Sequence, residues 1–500
     1  MTRARETQLS DRDRRGPIVR TAAALLSVQG MTWLSSLVSL LIVPRYLGAD
    51  RLGIFAVAGT LATIATLVAG WGTGNQIVKA VAREPARAAS VVLHAIALRL
   101  AIWSVFALLT AVALVTVVHD GTSRAVVVLM LGSAALGLIG NAAGAGLRGN
   151  QTIGRLAIIG AFIGVASQGA TIFVLVSGGG LIALGLLGMG FAVVSTSLAV
   201  VLFWRKLGRR VAWSRPVLVS IASGGFAFLA WEVAMQTYGT IDYILLAALT
   251  DAKTVGDYAF ALRLAGIPIF AATIVTSSIY PALAAASLTD RPFFKRLLTE
   301  GTHVVIAVSL PMAAGLIVLA PQLARLIGGG SQFDSSVPLL IILSLQIPLV
   351  AVDTVLGTGL YALDRQKRLA LVGWCAAVLN PLFNLAAIPL TVHWFGNGAI
   401  GAAVMTAVTE CFVGAWIWSM LGSYLGHARI VGTAARSLTG CAVMAVAVLV
   451  AEPHVGTILS IPLGAGVYGV SALALGLFSV ADVRQVRRAF TSREPELVQA

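Results

Sequence analysis

Charge is what this sequence has least of: 11% of its 500 residues are Asp, Glu, Lys or Arg, whereas 58% are hydrophobic. A soluble domain needs more polar surface than that, so lipid must be the solvent for most of the chain. Cysteine is scarcer still. Cys375, Cys411 and Cys441 all sit in apolar runs, and an odd trio without ligand spacing makes neither a disulfide framework nor a metal cluster, so they read as packing residues. The six histidines are dispersed, which excludes a zinc-enzyme pattern. There is no phosphate-binding loop of the Walker type, because Lys253 alone among lysines precedes a Ser or Thr and no glycine comes before it. Gly144 to Gly149 (GAGLRG) has dinucleotide-site spacing but ends an apolar helix with no strand ahead of it. No cofactor, metal or enzymatic activity is expected, and the formal charge of +15 is too scattered for nucleic acid.

What is present is a series of long apolar runs. A spanning helix needs about 20 such residues, and in hydrocarbon its backbone must bond to itself. Segments at about 21–43, 53–78, 91–118, 125–147, 156–177, 181–204, 217–249, 257–285, 301–320, 337–361, 369–390, 398–421, 434–451 and 456–480 meet the requirement. The chain is therefore expected to be an all-α polytopic membrane protein of about 14 transmembrane helices. Arg14, Arg15 and Arg20 ahead of the first run imitate a signal peptide, but that run is too long for one and is expected to stay.

Basic residues near helix ends resist translocation and fix orientation. Counting alternate loops places 28 of the 35 Lys and Arg on the side of the N-terminus; the other side holds five, namely Arg45, Arg51, Arg124, Lys253 and Arg325. One missed span would scramble that contrast. Both termini are expected in the cytoplasm of a bacterial cell (inner, plasma) membrane, and Asn150-Gln151-Thr152, a glycosylation sequon by pattern, then lies on the wrong side to be used.

A weak repeat divides the chain. A shift of 203 residues aligns Leu47–Ala62 with Thr250–Ala265, and a shift of 213 aligns Leu147–Val165 with Leu360–Val378. Both place the second half six spans after the first on the same side, which implies two six-helix lobes in parallel repeat. The expected division is a basic N-terminus (1–20), an N-lobe (21–204), a basic linker (205–216), a C-lobe (217–421), two additional C-terminal helices (434–480) and a tail (481–500).

Charges inside spans are costly and mark function or buried pairing. They are Arg99, Glu232, Asp242, Arg263, Asp353 and Glu410. On the seventh span Glu232, Gln236, Gly239 and Tyr243 recur at helical spacing, and on the first span Gln29, Thr32, Ser36 and Ser39 do the same. The 203-residue shift maps Gln29 onto Glu232 and Ser39 onto Asp242, which lies beside the seventh-span stripe, so both stripes are expected to face a central cavity, with polar packing between helices as the alternative. Pro268, Pro311, Pro348 and Pro381 fall inside spans of the second half, whereas no proline occurs from Ala86 to Arg215. The second half is expected to bend more.

The stretches VPRYLGADRLGIFAVAGTLA (Val43–Ala62), GDYAFALRLAGIPIF (Gly256–Phe270) with Pro281, and NPLFNLAAIPL followed by FGNGAIGAAVMTAVTE (Asn380–Glu410) resemble the polysaccharide-biosynthesis or O-antigen (Wzx-type) flippases. These belong to the multidrug/oligosaccharidyl-lipid/polysaccharide exporter superfamily, and the resemblance runs over about residues 20–425. It implies two lobes around a central cavity that opens alternately inward and outward. The implied substrate is an oligosaccharide on undecaprenyl pyrophosphate, moved from the cytoplasmic to the outer leaflet for surface polysaccharide or lipopolysaccharide export. Arg99 and Arg263, helped by Lys79 and Arg45, become candidates to attract the pyrophosphate, since a cation in a low-dielectric cavity binds a diphosphate strongly. Gln29, Ser36, Gln236 and Tyr243 would line the cavity. Glu232, Asp242, Asp353 and Glu410 become candidates for a coupling ion.

In-span acids outnumber in-span bases by four to two. That balance keeps open a cation-coupled multidrug exporter of the same superfamily, and a third reading is a non-transporting partner of glycan polymerisation machinery. Partners expected are the lipid-linked oligosaccharide, membrane lipids and polysaccharide polymerase or glycosyltransferases.

Overall fold

The computed structural model describes residues 11–117, 120–150, 154–207 and 213–478. Among them there is no strand, as expected of a chain whose backbone groups have only each other to bond with in lipid. The helices are α1 (Asp11–Gly70), α2 (Thr73–Arg83), α3 (Ala88–Val117), α4 (Gly121–Gly149), α5 (Gly154–Val176), α6 (Leu181–Leu207), α7 (Arg215–Leu249), α8 (Ala252–Gly266), α9 (Ile269–Thr289), α10 (Arg291–Val318), α11 (Ala320–Gly328), α12 (Val337–Leu345), α13 (Ile347–Ala362), α14 (Gln366–Phe395), α15 (Gly398–Leu421) and α16 (His427–Ala474).

Eleven described helical stretches are long and apolar enough to cross a membrane. One of them, α16, is a pair, because its path breaks at Gly456 (φ 76°). Likewise α1 breaks at Gly48 (φ 73°), separating a first crossing from a second. With that first crossing and the 35-residue α7, the fourteen crossings of an all-α polytopic protein are accounted for.

Helix ends differ from the apolar runs at informative places. The second run, expected to reach residue 78, stops at Gly70, and α2 continues after a break at Trp71 and Gly72. Hydropathy alone missed this break because Ile77, Val78 and Val81 keep the average high while Asn75, Gln76, Lys79 and Arg83 share the same short helix. Two of the four in-span prolines also mark breaks. Pro268 separates α8 from α9 and Pro348 opens α13, whereas Pro311 and Pro381 lie inside continuous helices.

The residues form two compact units, divided after Ile244. In the first, α4 is the hub, packing on α1, α2, α3 and α6. Small residues let the backbones approach: a Cβ on Gly140 would lie 2.9 Å from Thr196 Oγ1, and one on Gly146 would lie 2.5 Å from Phe203. Thr196 donates across that seam to the Leu136 carbonyl at 2.8 Å. In the second unit α10 is the hub, against α9, α13 and α16. Leu298, Val355, Leu356 and Leu360 are fully buried there. The α16 pair is fastened by Tyr468, whose hydroxyl donates to the Ala307 carbonyl at 2.7 Å, and by His303, 2.6 Å from Thr433 Oγ1 and 3.1 Å from the Leu477 carbonyl.

Candidate functional site

In the first unit the second half of α1, with α2, α3, α4, α5, α6 and α7, lines a cavity of about 720 Å³. Most of its wall is apolar: Phe55, Leu67, Met130, Leu138 and Leu184 contribute side chains. The polar lining is uncharged except at two residues, Arg99 and Glu232.

Arg99 sits mid-helix on α3 and is only 4% exposed. A buried guanidinium must be hydrogen-bonded to remain tolerable. Its Nε donates to Thr73 Oγ1 at 2.8 Å and its Nη1 to the Leu138 carbonyl at 2.9 Å. Thr73 in turn donates to the Gly70 carbonyl at 2.7 Å. The guanidinium is thus fixed by α2 on one side and α4 on the other. The charged groups whose fields reach it are Arg148 and Glu232.

Thr63, Thr66, Ser133 and Thr171 also face the cavity. Each donates its hydroxyl proton to the carbonyl four residues earlier on its own helix, at 2.8 to 2.9 Å. Their oxygens therefore present lone pairs, which accept from hydroxyl-bearing ligands. Asn141 adds an amide exposed to the same space.

Of the residues singled out from sequence, the cavity brings together Arg99 and Glu232. Gln236 lies one turn beyond Glu232 on α7, with its Nε2 3.2 Å from Thr240 Oγ1; Tyr243 is half-buried and Asp242 buried further along that helix. Lys79 on α2 and Arg45 near the Gly48 break are exposed and do not line the cavity. Gln29 and Ser36 have side chains outside the described residues.

The other three lie in the second unit. Arg263 is half-buried on the last turn of α8. Asp353 on α13 and Glu410 on α15 belong to helices that pack together; Glu410 is 6% exposed, and Asp353 has a buried Oδ2 without a hydrogen-bond partner.

Sequence reasoning missed Thr63, Thr66, Ser133, Asn141 and Thr171, because no single helix carries them as a stripe. It also missed Gly70, Gly72 and Gly74, whose side-chain-free backbone forms part of the wall. Their alternation in the GWGTG stretch was the available signal.

Comparison with known proteins matches residues 18–287 to the family described as polysaccharide biosynthesis protein and residues 157–461 to the family described as lipid II flippase MurJ. A probable flippase, AglR, from Haloferax volcanii is 25% identical over 203 residues, which are 40% of this chain and 41% of that protein; the match thus spans about two-fifths of the relative's length. Among solved structures, lipid II flippase MurJ in an inward closed conformation aligns over 94% of this chain and 100% of its own, with TM-score 0.70 and 13% identity. An inward-facing multidrug resistance MATE family transporter aligns over 81% and 98%, with TM-score 0.62 and 15% identity. At those identities the structural matches speak to the fold alone. The two family matches each cover more than half of the sequence, and the chain belongs to the families described as polysaccharide biosynthesis protein and lipid II flippase MurJ.

Proposed function

We propose that this protein flips an undecaprenyl-pyrophosphate-linked glycan from the cytoplasmic to the outer leaflet of a bacterial inner membrane by alternating access, for surface polysaccharide export. The observation that carries this reading is Arg99, a buried and doubly anchored cation on the wall of a mostly apolar cavity. A guanidinium held in low dielectric is a strong partner for a diphosphate. The surrounding hydroxyl oxygens suit sugar hydroxyls, and the apolar wall suits a polyprenyl chain. Cytoplasmic termini, which the bias of basic loops supports, and polymerase or glycosyltransferase partners are part of the proposal. Arg263 is assigned a supporting role toward the pyrophosphate.

The test is complementation of a deletion strain, reading surface glycan. Arg99→Ala is expected to abolish export with the protein still in the membrane, and Arg263→Ala to reduce it strongly. Full export by the double variant would overturn the assignment. A second reading, a cation-coupled multidrug exporter, draws on the acidic residues Asp353 and Glu410 of the second unit and the unpaired Asp353 Oδ2. It requires that deletion sensitise cells to cationic dyes; unchanged tolerance together with lost glycan eliminates it.

A further inference from the structure

The chain that leads into α7 lies across two other helices of its unit, and residues 213–225 are held there at three levels. At the start, Trp213 stacks on the His94 ring with centroids 4.2 Å apart, and the Ser214 N–H donates to His94 Nε2 at 2.9 Å. His94, on α3, is fully buried, and its Nδ1 lies 2.6 Å from the Ser90 carbonyl. The ring proton therefore sits on Nδ1 and leaves Nε2 as the acceptor. Further along, Ile221 shares a buried cluster with Ile77, Val81 and Val92. At the far end Trp71 Nε1 donates to the Ala222 carbonyl at 2.8 Å, and Gln76 Nε2 donates to the Gly224 carbonyl at 2.8 Å.

What this segment covers is the break between α1 and α2. Gly70, Gly72 and Gly74 face the cavity, and the residues between and after them face α7. A Cβ on Gly225 would lie 2.2 Å from the Trp71 carbonyl oxygen and 3.4 Å from Thr73 Cγ2, and one on Gly224 would lie 2.9 Å from Gln76 Cδ. Glycine has no side chain to thicken a wall. At the break the cavity wall is therefore one backbone deep, and α7 is what backs it.

Two features make this seam a two-position element. Trp71 (φ 51°) and Gly72 (φ 59°) stand in succession in the left-handed region, which costs a bulky residue free energy and persists only under outside restraint. The bond from the Trp71 ring and the packing on its carbonyl, both made with α7, supply restraint. Gly224 and Gly225 are adjacent inside a helix, where glycine is the least favoured residue after proline. They admit the close approach while docked and give the helix a flexible point next to the latch. Docking and strain thus oppose each other, and such an opposition gives discrete arrangements rather than gradual ones.

We propose that residues 213–225 are a strap that gates the cavity, latched by Trp71, Gln76 and His94 and hinged at Gly224–Gly225. Docked, as here, the strap closes the wall at the α1–α2 break; undocked, it opens that wall toward the end at which α7 begins. In the orientation proposed above this end is cytoplasmic. What passes the strap rests on the flippase reading, whereas the strap rests on its own contacts.

The experiment places a reporter thiol in the cavity, Thr66→Cys, in full-length protein whose Cys375, Cys411 and Cys441 are replaced by Ala, and follows its rate of reaction with a bulky hydrophilic maleimide in detergent. Trp71→Phe with Gln76→Leu removes both latch donors and should raise that rate by about fivefold to thirtyfold, the population shift for losing two ordinary hydrogen bonds. Gly225→Ala, whose methyl meets the Trp71 carbonyl, should raise it similarly by wedging the strap off. Gln76→Leu alone, a milder change, serves if the others fail to fold and should raise the rate by less. An unchanged or lower rate in the folded variants overturns the strap. In cells, Gln76→Cys with Gly224→Cys, bridged by dibromobimane, should halt the appearance of new surface glycan, with the unbridged pair as control. Glycan that is lost on deletion of the gene yet persists through the bridge also overturns the strap as the gate. Glycan that is intact on deletion breaks the flippase reading alone, because thiol reactivity judges the strap without reference to cargo.

Discussion

The two units solve the same problem of packing helices in lipid with opposite uses of space. The first unit leaves about 720 Å³ open among seven helices and puts a fixed cation on the wall. In the second, around α10, the described void beside Pro268, Val305 and Ser309 is about 30 Å³, room for a water at most. The first breaks helices at Gly48 and at Trp71–Gly72, the second at Pro268 and Pro348 as well as at Gly456. Glycine leaves amides bare, while proline merely changes direction. At these two voids the first unit is open and the second closed.

Truncation of one leucine in each unit should break or sustain that contrast most clearly. Leu298 is fully buried at the α10 hub, so Leu298→Ala is expected to cost about 2–5 kcal/mol, the usual loss for a core leucine. Leu67 lines the cavity and is half-buried, so Leu67→Ala leaves no sealed void and should cost under about 1.5 kcal/mol. Denaturation in mixed micelles measures both. Equal costs would mean that the cavity is packed as a core.

Glycine offers the next comparison, within the first unit alone. A Cβ on Gly146 would meet Phe203 at 2.5 Å, whereas one on Gly70 has open space. Gly146→Ala should therefore destabilise by about 1–3 kcal/mol through overpacking of α4 on α6. Gly70→Ala should leave the melting temperature within a few degrees while lowering glycan export, because its methyl enters the ligand's space. A melting temperature that falls for both shows the break to be structural only.

Tyr468→Phe probes how the closed unit holds its last helix pair. Its hydroxyl donates to the Ala307 carbonyl from a residue only 8% exposed. Removing the donor should cost about 1 kcal/mol, with the unpaired carbonyl adding to the loss. Faster proteolysis or hydrogen exchange confined to α16 is the expected readout, since the remaining contacts of α10 are untouched.

How much of this was legible depends on whether a residue's cost shows in its own local sequence. Arg99 and Glu232 were legible because a charge in an apolar run must be met by a partner or a cavity. So were the breaks at Pro268 and Pro348, while Pro311 and Pro381 show that a proline can also be absorbed within a continuous helix. The Trp71–Gly72 break was not found, because the hydropathy of one window reports composition and a left-handed pair depends on contacts with α7, some 150 residues away in sequence. The cavity hydroxyls were hidden for a related reason. Thr63, Ser133 and Thr171 lie on three helices, and only tertiary packing puts them on one wall.

The smallest expected effect lies at helix starts, and it tests whether the two units differ at their surfaces as they do inside. Asp120 opens α4 and Asp251 opens α8, each accepting from backbone N–H groups of the first turn. Both carboxyls are held below the usual range, Asp120 first by the Ser123 hydroxyl and Asp251 first by the Thr254 amide. Folding therefore favours the ionised form. The stabilisation is complete above the unfolded-state pKa of about 3.9 and is lost as pH falls through the lower folded value. Asp251→Ala should cost about 0.5–1 kcal/mol at neutral pH, and the part of that penalty due to the charge should shrink as pH falls below the unfolded-state value. Asp251→Asn keeps a capping oxygen without the charge and should recover most of the loss at neutral pH. A penalty for Asp251→Ala that stayed constant down to pH 3 would show that the carboxylate's charge contributes nothing to the start of α8.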